Sequence, residues 1–401
     1  MSVLPRRDVL KSGLLLAGAG GWTILNPHRV FGTAAHARIK LGIVGCGGRG
    51  HWIARLFAEH GGYEIHAVAD YFREVADACG DEFDVPANRR FSGLEGYRGL
   101  MESGVEAVAL ETPPYCFPDH TEAAVAAGLH VFLAKPVAVD VPGTMKVAEL
   151  GEQSRRAGKC FLVDYQIPTD PFNREVVARI HAGAIGTLAM VTTCYLAGRF
   201  NDPPLGETIA DRLRNLVWVN DVDLGGGYHV NACIHAIEAG LWIARRRPTA
   251  AVGASRIGRP DPHGDSRDQF SLTFEFEDGL VMNHVGTHLN APFHVRGVAY
   301  GQKGNAEIGY VGDAFVRGGD DPYEGGEVAD LYAAGARRNI ATFHESVQAG
   351  DASNPTIEPA IDSTLATILG REVGRRRERL TMETLLAENK RIEPDLSGLE
   401  R

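Results

Sequence analysis

The rhythm of apolar and polar positions changes once along this chain, near residue 187. Before that point, short apolar runs alternate with helical stripes. Residues 39–44 form a run rich in β-branched side chains, which predicts a buried strand. His51 to Ala58 carries apolar residues at 52, 53, 56 and 57, the stripe of a helix. Further strands are expected at 65–69, 107–110, 130–133 and 160–163, with a helix over 121–127 that Gly128 stops. Strands alternating with helices imply βαβ units and a parallel sheet covered on both faces.

Beyond residue 187, neighbouring stretches alternate or are β-rich: 188–196, 250–257, 269–277, 280–288 and 293–300. Turn residues such as Glu277-Asp278-Gly279 separate them, which predicts an antiparallel sheet. Helices are expected over 173–182, 230–244, 333–348 and 360–370. The arginine-rich Arg371 to Arg379 is expected to be a solvated helix end, and the Gly/Asp-rich Gly318 to Glu327 a mobile loop. The expected fold class is α/β: an N-terminal Rossmann domain over 38–166, then a C-terminal α+β domain over 167–401 with an open, mostly antiparallel sheet. A late helix of the second domain is expected to return to the first.

The first strand runs into Gly45-Cys46-Gly47-Gly48-Arg49-Gly50, and the second ends in Asp70. A Gly-x-Gly-x-x-Gly loop between strand and helix, with an acid about 20 residues on, is a dinucleotide fingerprint. Gly45 permits the tight turn, Gly47 and Gly48 leave the backbone open to a pyrophosphate, and Gly50 lets helix and strand pack closely. Free N–H groups and the helix dipole favour the anion. Asp70 can accept from both ribose hydroxyls and would repel a 2′-phosphate, which favours NAD over NADP.

Residues 1–37 stand apart from this pattern. Arg6-Arg7 precedes a 14-residue apolar run, Ser12 to Leu25, and Ala35-His36-Ala37 offers a small-residue cleavage site. The paired arginines point to twin-arginine export and an exported, periplasmic protein. The run falls short of the ~20 residues that span a bilayer, so no stable membrane insertion is expected after processing.

Composition is that of an ordinary globular protein of 401 residues, 44% hydrophobic and 23% charged. The formal charge of −10 argues against a nucleic-acid partner, because phosphate binding rests on Lys and Arg. Six scattered cysteines form no Cys-x-x-Cys pair. His284 and His288 have the spacing of a zinc helix, but on a strand they stand about 13 Å apart at ~3.3 Å per residue. No metal site is expected. No Gly-x-Ser-x-Gly elbow appears, so no covalent nucleophile is expected either.

Several motifs together resemble the glucose–fructose oxidoreductase / inositol dehydrogenase (Gfo/Idh/MocA) family. They are Thr112-Pro113-Pro114, Ala134-Lys135-Pro136, Val163-Asp164-Tyr165-Gln166, Gly183-Ala184-Ile185-Gly186 and Gly225-Gly226-Gly227 followed by His235. The resemblance implies a sugar or polyol substrate and a homodimer or homotetramer. It implies that Lys135 lies between nicotinamide and substrate, with Thr112 and Pro113 lining the nicotinamide side. Pro136 is expected to follow an unusual peptide bond. Asn231 and His235, four apart on an expected helix, would share a face, with His235 as general base. Tyr165, Gln166 and His229 are candidate substrate contacts. Two positions depart from the family pattern. Ala134 stands where a glutamate usually precedes the lysine, and Asn231 replaces an aspartate.

The expected reaction is hydride transfer between a sugar or polyol hydroxyl and a tightly held NAD recycled in place. The alternative is redox-neutral glycoside cleavage through a transient 3-keto sugar.

Overall fold

The computed structural model describes residues 38–401, which form one compact unit. The export signal expected at 1–37 lies outside the described residues.

Six parallel strands make the first sheet: β1 Ile39–Val44, β2 Tyr63–Asp70, β3 Arg90–Ser92, β4 Ala107–Leu110, β5 His130–Ala134 and β6 Phe161–Asp164. Their order is β3-β2-β1-β4-β5-β6. The central strands are largely buried on both faces, which is why they read as near-continuous apolar runs. The order reverses between β1 and β4. A crevice opens there beyond the carboxyl ends of the strands, the place where such sheets bind ligands.

The second sheet has nine strands, β7 Leu188–Leu196, β8 Ala250–Arg256, β9 Gln269–Glu275, β10 Val281–Thr287, β11 His294–Gly301, β12 Gly304–Gly309, β13 Gly312–Gly318, β14 Tyr323–Val328 and β15 Leu380–Thr381. They lie in the order β14-β13-β12-β11-β7-β10-β9-β8-β15, antiparallel throughout except for β7 beside β10. Alternation decides the faces. Phe270, Leu272, Met282, His284, Val295 and Ala299 point inward and are buried, while Val252, Val285 and Tyr300 project from the opposite face.

Two expectations fail here. The stretch 318–327 is not a mobile loop: β13 and β14 pair across it. Its glycines carry no apolar signal, but Gly325, at φ 66°, lets the backbone press against Ala314, where a Cβ would lie 1.6 Å from the carbonyl oxygen. Nor is the arginine-rich stretch wholly solvated. It belongs to helix Ile357–Arg376 and its sequel, and Arg371 is partly buried, donating over 2.9 Å to the Val139 carbonyl oxygen.

The returning helix is Leu331–Ala349. Its Ala336, Ile340 and Phe343 complete the apolar cluster of Ile39, Leu41, Phe57 and Phe132 beside β1 and β5. Phe343 is fully buried edge-on to Phe132, a burial that stabilises by about 1.5–3 kcal/mol.

Candidate active site

The glycine loop meets each requirement set for it. Gly45 has φ 91°, and a Cβ there would lie 2.6 Å from the Thr112 nitrogen. A Cβ on Gly50 would lie 1.8 Å from the Gly45 carbonyl oxygen, so helix Gly48–His60 can approach β1 only through glycine. At Gly47 and Gly48 a Cβ would meet nothing within 4 Å, which leaves the helix N-terminus open to an anion. The Asp70 carboxylate is held by the Cys46 N–H at 2.8 Å and the Phe72 N–H at 3.0 Å.

These groups line a groove of about 410 Å³ with Thr112 and Pro113 on its other side. NAD fits this set: a glycine cradle for the pyrophosphate and a carboxylate at the end of β2 for the ribose. Sequence reasoning missed one wall. Leu213, Arg214, Leu216 and Trp218, from the connection between β7 and β8, line the groove. Arg214 reaches across it, 2.7 Å from Glu74 and 4.1 Å from the Phe72 ring centroid.

Lys135 directly follows β5, and the Lys135–Pro136 peptide is cis, the unusual bond expected there. Its Nζ donates to the main-chain carbonyl oxygen of Asn231 at 2.7 Å. That oxygen is free because the helix expected over 230–244 is broken. Helices Gly227–Asn231 and Ile234–Ala244 flank a wide turn in which the Cys233 N–H reaches back to Tyr228 and the His235 N–H turns to Ala232. In an unbroken helix the His235 N–H would occupy the Asn231 carbonyl. The expectation that the Asn231 and His235 side chains share a helical face therefore fails. The Asn231 amide turns instead to the Gly225 carbonyl oxygen, 3.1 Å away.

The carboxylate missing at Ala134 has counterparts on neighbouring strand ends. Glu111 follows β4 and Asp164 ends β6, both fully buried, and Arg49 of the glycine loop sits 3.2 Å from Glu111 and 2.6 Å from Asp164. Burial pushes the Lys135 ammonium down to about 7, and Arg49 adds to the fall. Asp164 and Glu111 oppose it. Burial raises Glu111 to about 7 against the pull of Arg49. His235 is held neutral, well below its ordinary value, first by burial and then by the charges of Lys135 and Arg49.

Arg49 also donates to the Tyr332 hydroxyl at 2.7 Å. Tyr332 opens onto a second cavity of about 490 Å³, walled by Tyr195, Phe200, Phe293 and Tyr310 with His235 among them. Arg49, Glu111 and these aromatic residues were not picked out from the sequence. Only the position of Arg49 inside the glycine loop could have signalled it.

Three expected substrate contacts need correction. Tyr165 is buried behind the cavity, its hydroxyl 2.7 Å from Ser363. Gln166 is equally buried and accepts from the Tyr310 hydroxyl, so both support the wall rather than line it. His229 points elsewhere, stacked on Phe270 against His284. No metal site was expected from the spacing of His284 and His288 or from His229 and His235, six residues apart. His229, Cys233 and His284 in fact converge.

Comparison with known proteins agrees with this geometry. Residues 39–165 match the family model described as "Oxidoreductase family, NAD-binding Rossmann fold", and residues 173–307 match the GFO/IDH/MocA C-terminal domain. A myo-inositol dehydrogenase of Streptomyces leeuwenhoekii is 25% identical over 78% of this chain and 90% of its own length. An uncharacterized oxidoreductase of Synechocystis sp. is 24% identical over 60% of this chain, which spans 62% of that protein. A shorter match, 26% identical over 31% of this chain and 27% of the other, is to a glycosyl hydrolase family 109 protein of Streptomyces coelicolor. Among solved structures, the NAD+ complex of an inositol dehydrogenase homolog from Azotobacter vinelandii superposes with a TM-score of 0.71. It is 18% identical, over 86% of this chain and 97% of that one. A glycine cradle that fits NAD and a lysine at the strand ends beside it, within these two matched domains, place the chain in the Gfo/Idh/MocA family of NAD-binding oxidoreductases.

Proposed function

We propose that this oxidoreductase moves hydride between a hydroxyl of a neutral sugar or polyol and an NAD that stays bound between turnovers. The observation that carries the substrate class is the aromatic cavity beside the groove. Tyrosine and phenylalanine faces suit the C–H faces of a sugar or cyclitol ring, and the tyrosine hydroxyls suit its polar edge. Inositol dehydrogenases among the relatives support the same class.

Bound NAD would supply the hydride acceptor. The chain's own groups supply the rest. The Lys135 ammonium donates to the reacting oxygen and stabilises charge that develops there. Neutral His235, on the cavity wall, takes the hydroxyl proton. The segment closing over the groove supports retention of the dinucleotide. Export by the twin-arginine route belongs to this proposal and rests on residues 1–37 of the sequence alone. So does a homodimer or homotetramer, supported by the apolar Val252, Val285 and Tyr300 on the sheet's outer face.

Purified protein loaded with NAD, offered cyclitols, aldoses and aryl glycosides, tests the reading. Net reduced nicotinamide, or coupled reduction of a second sugar, supports it. Aglycone release without net reduction would replace it with redox-neutral glycoside cleavage, toward which the short glycosyl hydrolase match points. Inertness toward every neutral sugar would reject it.

A further inference from the structure

His229 lies in the helix before the break that frees the Asn231 carbonyl, and Cys233 lies in the break itself. Both side chains are buried, and His284 of β10 lies against them, also buried. One ligand-type atom from each of the three falls within 4.8 Å of the other two.

We propose that His229, Cys233 and His284 bind a single thiophilic cation of the Zn(II) or Cu(I) class, which clamps the helix break to the second sheet. Imidazole and thiolate together suit these d10 ions, which impose little geometry of their own.

Four observations converge on the cluster. Neither ring nitrogen of His229 has a hydrogen-bond partner, nor does Nε2 of His284, although buried polar groups are as a rule paired. His284 Nδ1 lies 3.0 Å from the Thr193 hydroxyl, which leaves Nε2 as the nitrogen on the side of the cluster. Metal-bound histidines are held by this kind of outer contact. Gly286 leaves the space open, since a Cβ there would lie 2.7 Å from Cys233 Sγ and 3.2 Å from His284 Nε2. Finally, His229 lines a cavity of about 80 Å³, bounded also by Gly226, Gly227, Arg371 and Glu372, which offers a way in and room for a water as fourth ligand.

The fit is close to a loaded site. Ligand atoms bound at 2.0–2.3 Å stand roughly 3.5 Å apart, so a separation of 4.8 Å needs to shrink by about 1.3 Å. The thiol must lose its proton on loading. Arg371 faces the same cavity with Glu372 3.4 Å away, so its charge does not stand alone. A cation here fixes residues 229 and 233 around the turn and so holds the carbonyl that receives Lys135.

The test is metal content and metal binding of the purified chain. About one equivalent of zinc or copper per chain is expected, reduced at least tenfold in Cys233→Ser and in His284→Ala. Retained NAD binding serves as the control for folding. Cobalt(II) added to metal-stripped protein should give a thiolate-to-cobalt charge-transfer band that zinc abolishes. Separate titrations with Zn(II) and, anaerobically, Cu(I) distinguish the two ions. If the variants fail to fold, the cobalt band and its competition in the unmodified chain still decide. No metal on purification, together with no cobalt band and no stoichiometric uptake of either ion, would overturn the proposal.

Discussion

Lys135 donates its side-chain proton to the main-chain carbonyl of Asn231, not to the Asn231 side chain, over 2.7 Å. A residue placed where the family carries an acid thus contributes through its backbone. Lys135→Met should bind NAD and lose at least ~100-fold in kcat, as removal of a donor to a developing charge does. Asn231→Ala leaves the carbonyl in place and should cost only a few-fold. Equal losses in steady-state assays of the two variants would contradict this division.

The carboxylates around Lys135 should be visible in its titration. The ammonium form is the one that donates, so kcat/KM for oxidation falls as pH rises through about 7, where burial has brought both Lys135 and Glu111. The two titrate as a pair. Glu111→Gln removes a charge that favours the ammonium, so the falling limb moves to lower pH. A limb that stays put or moves the other way shows that Glu111 does not act on Lys135.

Two neighbouring glycines should fail differently. Gly50→Ala drives a Cβ into the Gly45 carbonyl oxygen and should destabilise the fold by about 3 kcal/mol or more. Gly47→Ala meets no protein atom and has φ −66°, so stability should hold. Its NAD affinity should still fall about tenfold or more, because the new methyl stands where the pyrophosphate approaches. Thermal melts paired with NAD titrations check both.

How much of this was legible in the sequence depended on range. The glycine loop and Asp70 announce themselves because their chemistry is local, whereas Lys135 was reached through the resemblance of the Ala134-Lys135-Pro136 motif. The burial alternation of β7 to β11 is local too, and so were their approximate bounds. The break at Ala232–Cys233 was invisible. Nothing in 230–244 departs from a helical stripe, and the turn is held by contacts with Lys135, 96 residues away. Glu111 and Asp164 lie at the ends of separate strands that only the sheet order brings to one arginine. The convergence of His229 and Cys233 with His284 likewise depends on how the broken helix packs on β10. The hairpin of β13 and β14 escaped notice because glycine-rich strands pair through backbone alone.

Arg214 closes the groove with one exposed ion pair and one cation–π contact, both weak. Arg214→Ala should release NAD roughly fivefold faster, with the melting temperature of the NAD-free protein unchanged. Equal release rates would show that the segment over the groove does not retain the dinucleotide.

The central claim is that this chain oxidises a sugar or polyol hydroxyl with bound NAD through Lys135. A single turnover measures it directly. Protein carrying one NAD per chain is mixed with a polyol bearing deuterium at the reacting carbon, and the nicotinamide is followed by absorbance and mass. The account predicts one reduced, deuterated nicotinamide per chain in the unmodified protein and none in Lys135→Met at equal NAD occupancy. Undiminished transfer in Lys135→Met, or a chain that binds no NAD, would contradict it.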